Sequence, residues 1–259
     1  MKKTMIVLWS VIALWGCRKE GRAGTENGDN MLVDKVYDYH NNLIAEYIYD
    51  DDNRLVKRKF KDPETGASSD YDLQYENGKV KKISFTDYSH PDFNHDIVLR
   101  YNTEGQITRD ETYQGGRLTN AKNYSYYNNG KIKGIFDDAN FEYCTVEYMN
   151  TDNAVKSTWH IRSTEDGDKD VVKVYTYDNN GKPGFGIGNV FQFDPLPKSN
   201  AASPFEKNIS PNNMTGADDG TKWHYTYNEA QLPVTIETTW DNIEMDTPML
   251  IRIQYKSKK

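Results

Sequence analysis

The chain has 259 residues, of which 36% are hydrophobic, 27% charged and 13% aromatic; 32 basic against 39 acidic side chains give a formal charge of −7. So small an apolar share excludes a bundle of membrane-spanning helices, each of which needs about 20 apolar residues in a row. The 19 Tyr exclude a fully disordered chain, and the negative charge argues against nucleic acid as a partner.

Met1-Lys2-Lys3 is a short basic region, followed from Thr4 to Leu14 by an almost wholly apolar run. That run is too short to span a bilayer as a mature helix and suits the centre of an export signal. It ends in Leu14-Trp15-Gly16-Cys17, which resembles the lipobox of bacterial lipoproteins. The resemblance implies a signal peptide over residues 1–16, with Cys17 lipidated as the mature N-terminus and its acyl chains holding the protein on the outer membrane. Cleavage takes away Lys2 and Lys3 and no acid, so 30 basic against 39 acidic side chains leave a charge of −9. Residues 18–30 have no apolar periodicity, and with Cys17 they form a lipidated tether over 17–30. Cys144 is then the one remaining thiol, which excludes an internal disulfide and any zinc-finger pattern. Its alternating surroundings, Phe141 to Tyr148, predict an inert thiol on a strand.

Residues 31–259 read as one β-repeat domain. A phrase recurs in which an aromatic or aliphatic residue, x and Tyr are followed by a polar turn, usually a tetrad, then a basic residue and an aliphatic in most units. It appears at Tyr47-Ile-Tyr49, Leu73-Gln-Tyr75, Leu99-Arg-Tyr101, Tyr124-Ser-Tyr126, Val146-Glu-Tyr148, Tyr175-Thr-Tyr177 and Tyr225-Thr-Tyr227, and Ile251 to Tyr255 is a terminal half-unit. Residues two apart share a face of a strand. The tetrad ends in a residue that must take φ > 0 to close a turn: Asn53, Gly78, Gly105, Gly130, Asn153 and Gly181, with Gln231 as the departure. Glu76-Asn-Gly-Lys79 carries the Asn-Gly hairpin signal, and Asn102 to Gly105 suits a type I turn with a Gly bulge. A period near 25 accommodates two strands per unit, hence seven or eight hairpins and on the order of 14–18 antiparallel strands. No segment shows a helical stripe. The predicted fold is all-β, an antiparallel meander that closes or partly closes into a barrel, because open twisted sheets rarely exceed about ten strands.

Residues 182–222 leave the pattern. They hold Pro183, Pro195, Pro197, Pro204 and Pro211, and the run Gly184-Phe-Gly186-Ile-Gly188. Two readings stand side by side. Val190-Phe-Gln-Phe193 is a strand or an apolar plug at a barrel mouth, or the whole stretch is a plain crossover with a short turn or helix near Ser203 to Lys207. The glycine run has the wrong spacing for a dinucleotide fingerprint.

Signals of chemistry are weak. Asp166-Gly-Asp168-Lys-Asp170 lacks the Gly and Glu that a calcium loop needs at its sixth and twelfth positions, where Val171 and Tyr177 stand, so a hairpin turn is expected. His90-Pro-Asp92-Phe-Asn-His95-Asp96 matches no zinc or iron spacing, and His40, His160 and His224 lie on or beside strand patterns. There is no nucleophile elbow and no His-Glu-x-x-His. Trp159, Trp223 and Trp240 stand either as a sugar-stacking surface or as core and rim residues. No catalytic, metal or cofactor residue is therefore assigned. Lys57-Arg58-Lys59, Lys81-Lys82 and Arg109-Asp110-Glu111 interrupt any apolar band, which argues against a membrane pore.

The repeated phrase resembles the YD-type repeats of large surface proteins. The lipobox, those units, Ser210-Pro-Asn-Asn213 and Tyr225 to Pro233 together resemble a family of uncharacterised lipoproteins from gut-dwelling Gram-negative anaerobes, a domain of unknown function with a porin-like barrel fold. The resemblance implies a fold and an address and no activity. The expectation is a monomeric, non-enzymatic outer-membrane lipoprotein that faces the periplasm or the cell surface and binds a glycan or an envelope protein. A glycan-directed hydrolase on a β scaffold is the alternative.

Overall fold

The computed structural model describes residues 30–149, 152–163, 167–188, 190–196, 204–241, 243 and 249–259. The expected signal peptide, Cys17 and the expected tether up to residue 29 lie outside them. Sixteen antiparallel strands form one closed barrel in which each strand pairs with its neighbours in sequence and β1 pairs with β16. They are β1 (Met31–Tyr37), β2 (Leu43–Tyr49), β3 (Leu55–Lys61), β4 (Ser68–Glu76), β5 (Lys79–Asp87), β6 (His95–Tyr101), β7 (Ile107–Gln114) and β8 (Arg117–Tyr126). The second half is β9 (Ile132–Phe136), β10 (Glu142–Glu147), β11 (Lys156–Ile161), β12 (Lys169–Gly181), β13 (Asn212–Ala217), β14 (Thr221–Tyr227), β15 (Pro233–Trp240) and β16 (Met249–Ser257). One short helix, α1 (Pro204–Ile209), and a single 3-10 turn (Pro91–Phe93) complete the described elements. The all-β, closed and antiparallel expectation is met, and sixteen falls within the expected strand number.

The polar tetrads build one end of the barrel. Asn102 N–H donates to the Gln106 carbonyl, Gly105 N–H donates to the Asn102 carbonyl, and Gly105 has φ 85°. The register slips by a residue between Arg100 and Tyr101, which is the expected bulge. Gln231 takes the same left-handed conformation, φ 56°, in the slot that Gly occupies elsewhere. Two tetrads differ from expectation. Asn153 is not among the positive-φ residues, and Gly181 is not either, because Asp178 to Gly181 continue β12 instead of turning. The side chains of Asn212 and Asn213 hold them there, donating to the Asn180 and Gly181 carbonyls.

Alternation sorts the two faces. Along β14, Trp223, Tyr225 and Tyr227 point inward, whereas Lys222, His224 and Thr226 are exposed. The outer wall carries ion pairs such as Lys57–Asp72 at 3.1 Å, Lys82–Asp96 at 2.8 Å and Arg100–Glu111 at 3.0 Å. Within the charged triplets read from the sequence, Arg58 and Asp110 point inward and are buried, unlike their neighbours.

Seven strand pairs share a further device. Tyr49, Tyr75, Tyr101, Tyr126, Tyr177, Tyr225 and Tyr255 donate their hydroxyls to the carbonyls of Val33, Leu55, Val80, Ile107, Ala154, Met214 and Pro233, at 2.6–2.8 Å. In each pair the carbonyl lies two residues, and the Tyr three, beyond the last paired residues of the ladder. The phenol supplies a donor where two strands splay apart and the backbone ladder has ended.

The interior is filled by the chain's own apolar segment. Phe185, Val190, Phe191, Phe193 and Leu196 are buried in one cluster with Val33, Tyr47, Leu73, Ile83, Leu99 and Trp223 of the wall. Phe193 packs on Tyr71 at 4.8 Å, Phe191 on Tyr124 at 4.9 Å, and Phe205 of α1 on Phe191 at 5.7 Å between ring centroids. Val190 to Phe193 is thus a plug and not a strand, entering from the tetrad end. The irregular stretch is also shorter than residues 182–222, since β13 and the start of β14 fall inside those bounds.

Candidate functional site

The site follows from one irregular seam. Strands β13 and β14 share a single register pair, Gly216 with Lys222, where the other sequential pairs joined at the same end share three or more. Beyond that pair the strands diverge, and the wall opens into a lateral cleft of about 760 Å³ between β12, β13 and β14. That volume lies in the range of small-ligand sites.

Tyr225 performs the hydroxyl-to-carbonyl bond at this seam, to Met214 at 2.6 Å. Tyr227, which the repeated phrase marks as the anchor, is left over by two positions. Its hydroxyl donates instead to Asp178 Oδ2 on β12. The two rings stack with centroids 6.1 Å apart and planes at 27°, and Trp223, on the same face of β14 and 2% exposed, also lines the cleft. Burial, seconded by the bond to Asp178, pushes the Tyr227 phenol up to about 12. Asp178 also accepts from Asn180 N–H at 2.9 Å, Asn213 N–H at 3.2 Å and Asn213 Nδ2. The outward rim is small and polar: Thr176 and Thr215 share a 3.0 Å hydroxyl bond, and His224 Nε2 meets Thr239 Oγ1 at 3.2 Å. The cleft thus offers an aromatic platform, a carboxylate fixed from behind by buried Asn213, the side chain of Asn180, and a threonine rim.

The residues singled out from the sequence are scattered. Cys17 lies outside the described residues. Cys144 sits on β10, fully buried, and burial pushes its thiol well above the usual range. The three Trp do not form one surface: Trp159 donates its indole N–H to Glu206 Oε1 at 3.0 Å inside the barrel, Trp223 lies under the cleft, and Trp240 ends β15. His95 begins β6 with Nδ1 2.8 Å from the Phe93 carbonyl, while His90 precedes the 3-10 turn. His160 Nδ1 lies 2.7 Å from Asp170 Oδ1. Of the Asp166–Asp170 turn, Asp166 lies outside the described residues and Lys169 opens β12. Gly186 has φ 63° and presses on the turn at Asn53, whose carbonyl a Cβ at that position would strike.

Sequence reasoning did not find Asp178, Asn180 or Asn213 as a group. Asp178 and Asn180 stand in a tetrad that reads as a turn, and Asn213 is 35 residues away. A faint signal existed in the Asn-rich pairs 179–180 and 212–213.

No protein-family model matches the chain, and no curated protein matches it. Solved structures that are similar include a porin-like protein from Bacteroides uniformis, with TM-score 0.48 and 15% identity over 82% of this chain and 90% of that one. A porin-like protein from Bacteroides vulgatus aligns with TM-score 0.41 and 12% identity over 87% of this chain and 99% of that one. The Photorhabdus luminescens Tc holotoxin pore aligns with TM-score 0.25 and 12% identity, covering 84% of this chain and 12% of that one.

Proposed function

We propose that the protein is an outer-membrane lipoprotein that binds a glycan, without catalysis, in the lateral cleft of its barrel. The observation that carries the reading is the stacked Tyr225–Tyr227 pair, which lines a cavity of about 760 Å³ together with Trp223, Asp178 and Asn180. Sugars present apolar faces that stack on aromatic rings, and their hydroxyls pair with polar side chains at the rim. Binding without turnover is supported by the state of the acids. Asp178 is already occupied by Tyr227, Asn180 and Asn213. Asp110 and Glu206 are sealed inside at 3% and 0% exposure. A plugged interior supports a docking or scaffold role over transport, and ion pairs on the outer wall oppose contact with lipid tails.

Cys17 as lipid attachment supplies the anchor. The described chain begins at the tetrad end of the barrel, where β1 starts.

Both parts are testable. Cys17→Ala is expected to move the protein out of the membrane fraction after a high-salt wash; retention there refutes lipid anchoring. On a panel of immobilised envelope and dietary polysaccharides, Tyr227→Ala is expected to weaken glycan binding roughly tenfold or more with the circular dichroism unchanged. Equal binding by wild type and variant, or no glycan retained by either, defeats the cleft reading.

A further inference from the structure

The plug meets the wall beside two buried basic side chains that form no ion pair among the described residues. Arg58, inward on β3, is 7% exposed. It donates Nη1 to the Asp194 carbonyl at 2.9 Å and to the Pro195 carbonyl at 3.4 Å, and its guanidinium lies 4.5 Å from the Tyr71 ring centre and 5.3 Å from that of Phe193. Its Nε has no acceptor. Lys207, on α1, is likewise 7% exposed, and its Nζ has no acceptor either. The two lie on the same stretch of plug. Next to Lys207, Asn208 donates its amide to the Phe193 carbonyl at 3.0 Å, and the Asp194 carboxylate acts on Lys207 through space. Asp194 forms an ion pair with neither cation; its Oδ1 accepts the Leu196 N–H at 3.1 Å. The one carboxylate near Lys207 is thus turned to its own backbone, and Arg58 meets only carbonyls of the plug.

A buried charge without a partner is strongly disfavoured. Lysine escapes by releasing its proton, and burial indeed holds the Lys207 amine below its ordinary range. Arginine does not have that escape, and its fork of donors matches a planar or tetrahedral oxyanion. We propose that the plug–wall interface at Arg58 and Lys207 is a binding site for a small oxyanion, a carboxylate or a phosphate, which ties α1 to β3. Arg58 Nε and Lys207 Nζ are the two free donors that receive it. The site is separate from the lateral cleft, whose lining includes neither Arg58 nor Lys207.

The test is thermal unfolding of the full chain in inorganic phosphate and in acetate, each against chloride at matched ionic strength. A ligand that binds only the folded state raises the midpoint with concentration. The midpoint of the wild type is expected to rise and saturate in at least one oxyanion, and the arm that responds tells phosphate from carboxylate. Lys207→Met, close in shape and uncharged, is expected to keep the β spectrum and lose the rise. Should that variant not fold, Arg58→Lys keeps the charge without the fork, and is expected to need at least a tenfold higher concentration for the same rise. No rise in wild type with either oxyanion overturns the site, and so does a rise that both variants share.

Discussion

A tyrosine in this barrel is a backbone substitute as much as a packing group. Each phenol that reaches the carbonyl two residues past the end of a ladder fills a place where an N–H would otherwise stand, and the ring buries apolar area on the way. Tyr75 is the plainest case, since its hydroxyl has one partner, Leu55 O, at 2.8 Å. Tyr75→Phe keeps the ring and removes the donor, leaving a carbonyl short of a bond. The expected loss is about 1 kcal/mol, read as a lower urea midpoint with unchanged slope. A loss indistinguishable from zero would mean that water takes over the hydroxyl's place and that the bond does not hold the splayed strands. Gln231 shows the same economy from the other side. The turn demands a left-handed residue, and the fold imposes φ 56° on a side chain that disfavours it.

At the scale of elements, how much was legible depended on whether the information was local. The Tyr-x-Tyr phrase with its polar tetrad is a local signal, because faces alternate and turns need φ > 0 within a few residues. Strand identity, closure and the Gly105 bulge were therefore readable. Gly181 was misread because Asp178 to Gly181 has the letters of a turn, while the contacts that keep it straight come from Asn212 and Asn213 across the sheet. The plug was legible only as one of two readings. Val190-Phe-Gln-Phe193 alternates as a strand does, and the difference lies in where it goes: Gly184 brings its carbonyl to Val33 N–H at 3.0 Å, and Gly186 passes against the turn at Asn53. The cleft was the least legible part. It arises from a displacement of two residues along β14, which gives Tyr225 the structural role and leaves Tyr227 for Asp178. Both tyrosines belong to the same phrase, and no spacing rule tells them apart. The same holds for Arg58 and Asp110, which sit inside charged triplets and yet point inward.

For the whole molecule, these bonds form a ring around one end of a closed sheet, and a ring can fail together. Burial raises every member. Tyr75 and Tyr101 are pushed up to about 12, and Tyr49, Tyr126, Tyr177, Tyr225 and Tyr255 are driven higher still, in each case chiefly by loss of hydration. In the unfolded chain the same phenols ionise near 10. Between those values the folded protein keeps protons that the unfolded chain has released, so the unfolded state binds fewer and stability falls as pH rises. The contribution is fully present below about pH 10 and is lost through the window up to about 12 and beyond. Because a closed barrel has no free edge at which to fray, losing one donor exposes its neighbours to water, and the remaining phenols then titrate at their ordinary value. The far-ultraviolet β signal is therefore expected to collapse steeply in the same narrow alkaline interval in which tyrosinate absorbance appears, with more than one proton released per unfolding event. If instead the tyrosines ionise one after another around their ordinary value while the β signal stays constant, the hydroxyl bonds are ornaments on a barrel that its backbone ladders and plug hold closed without them.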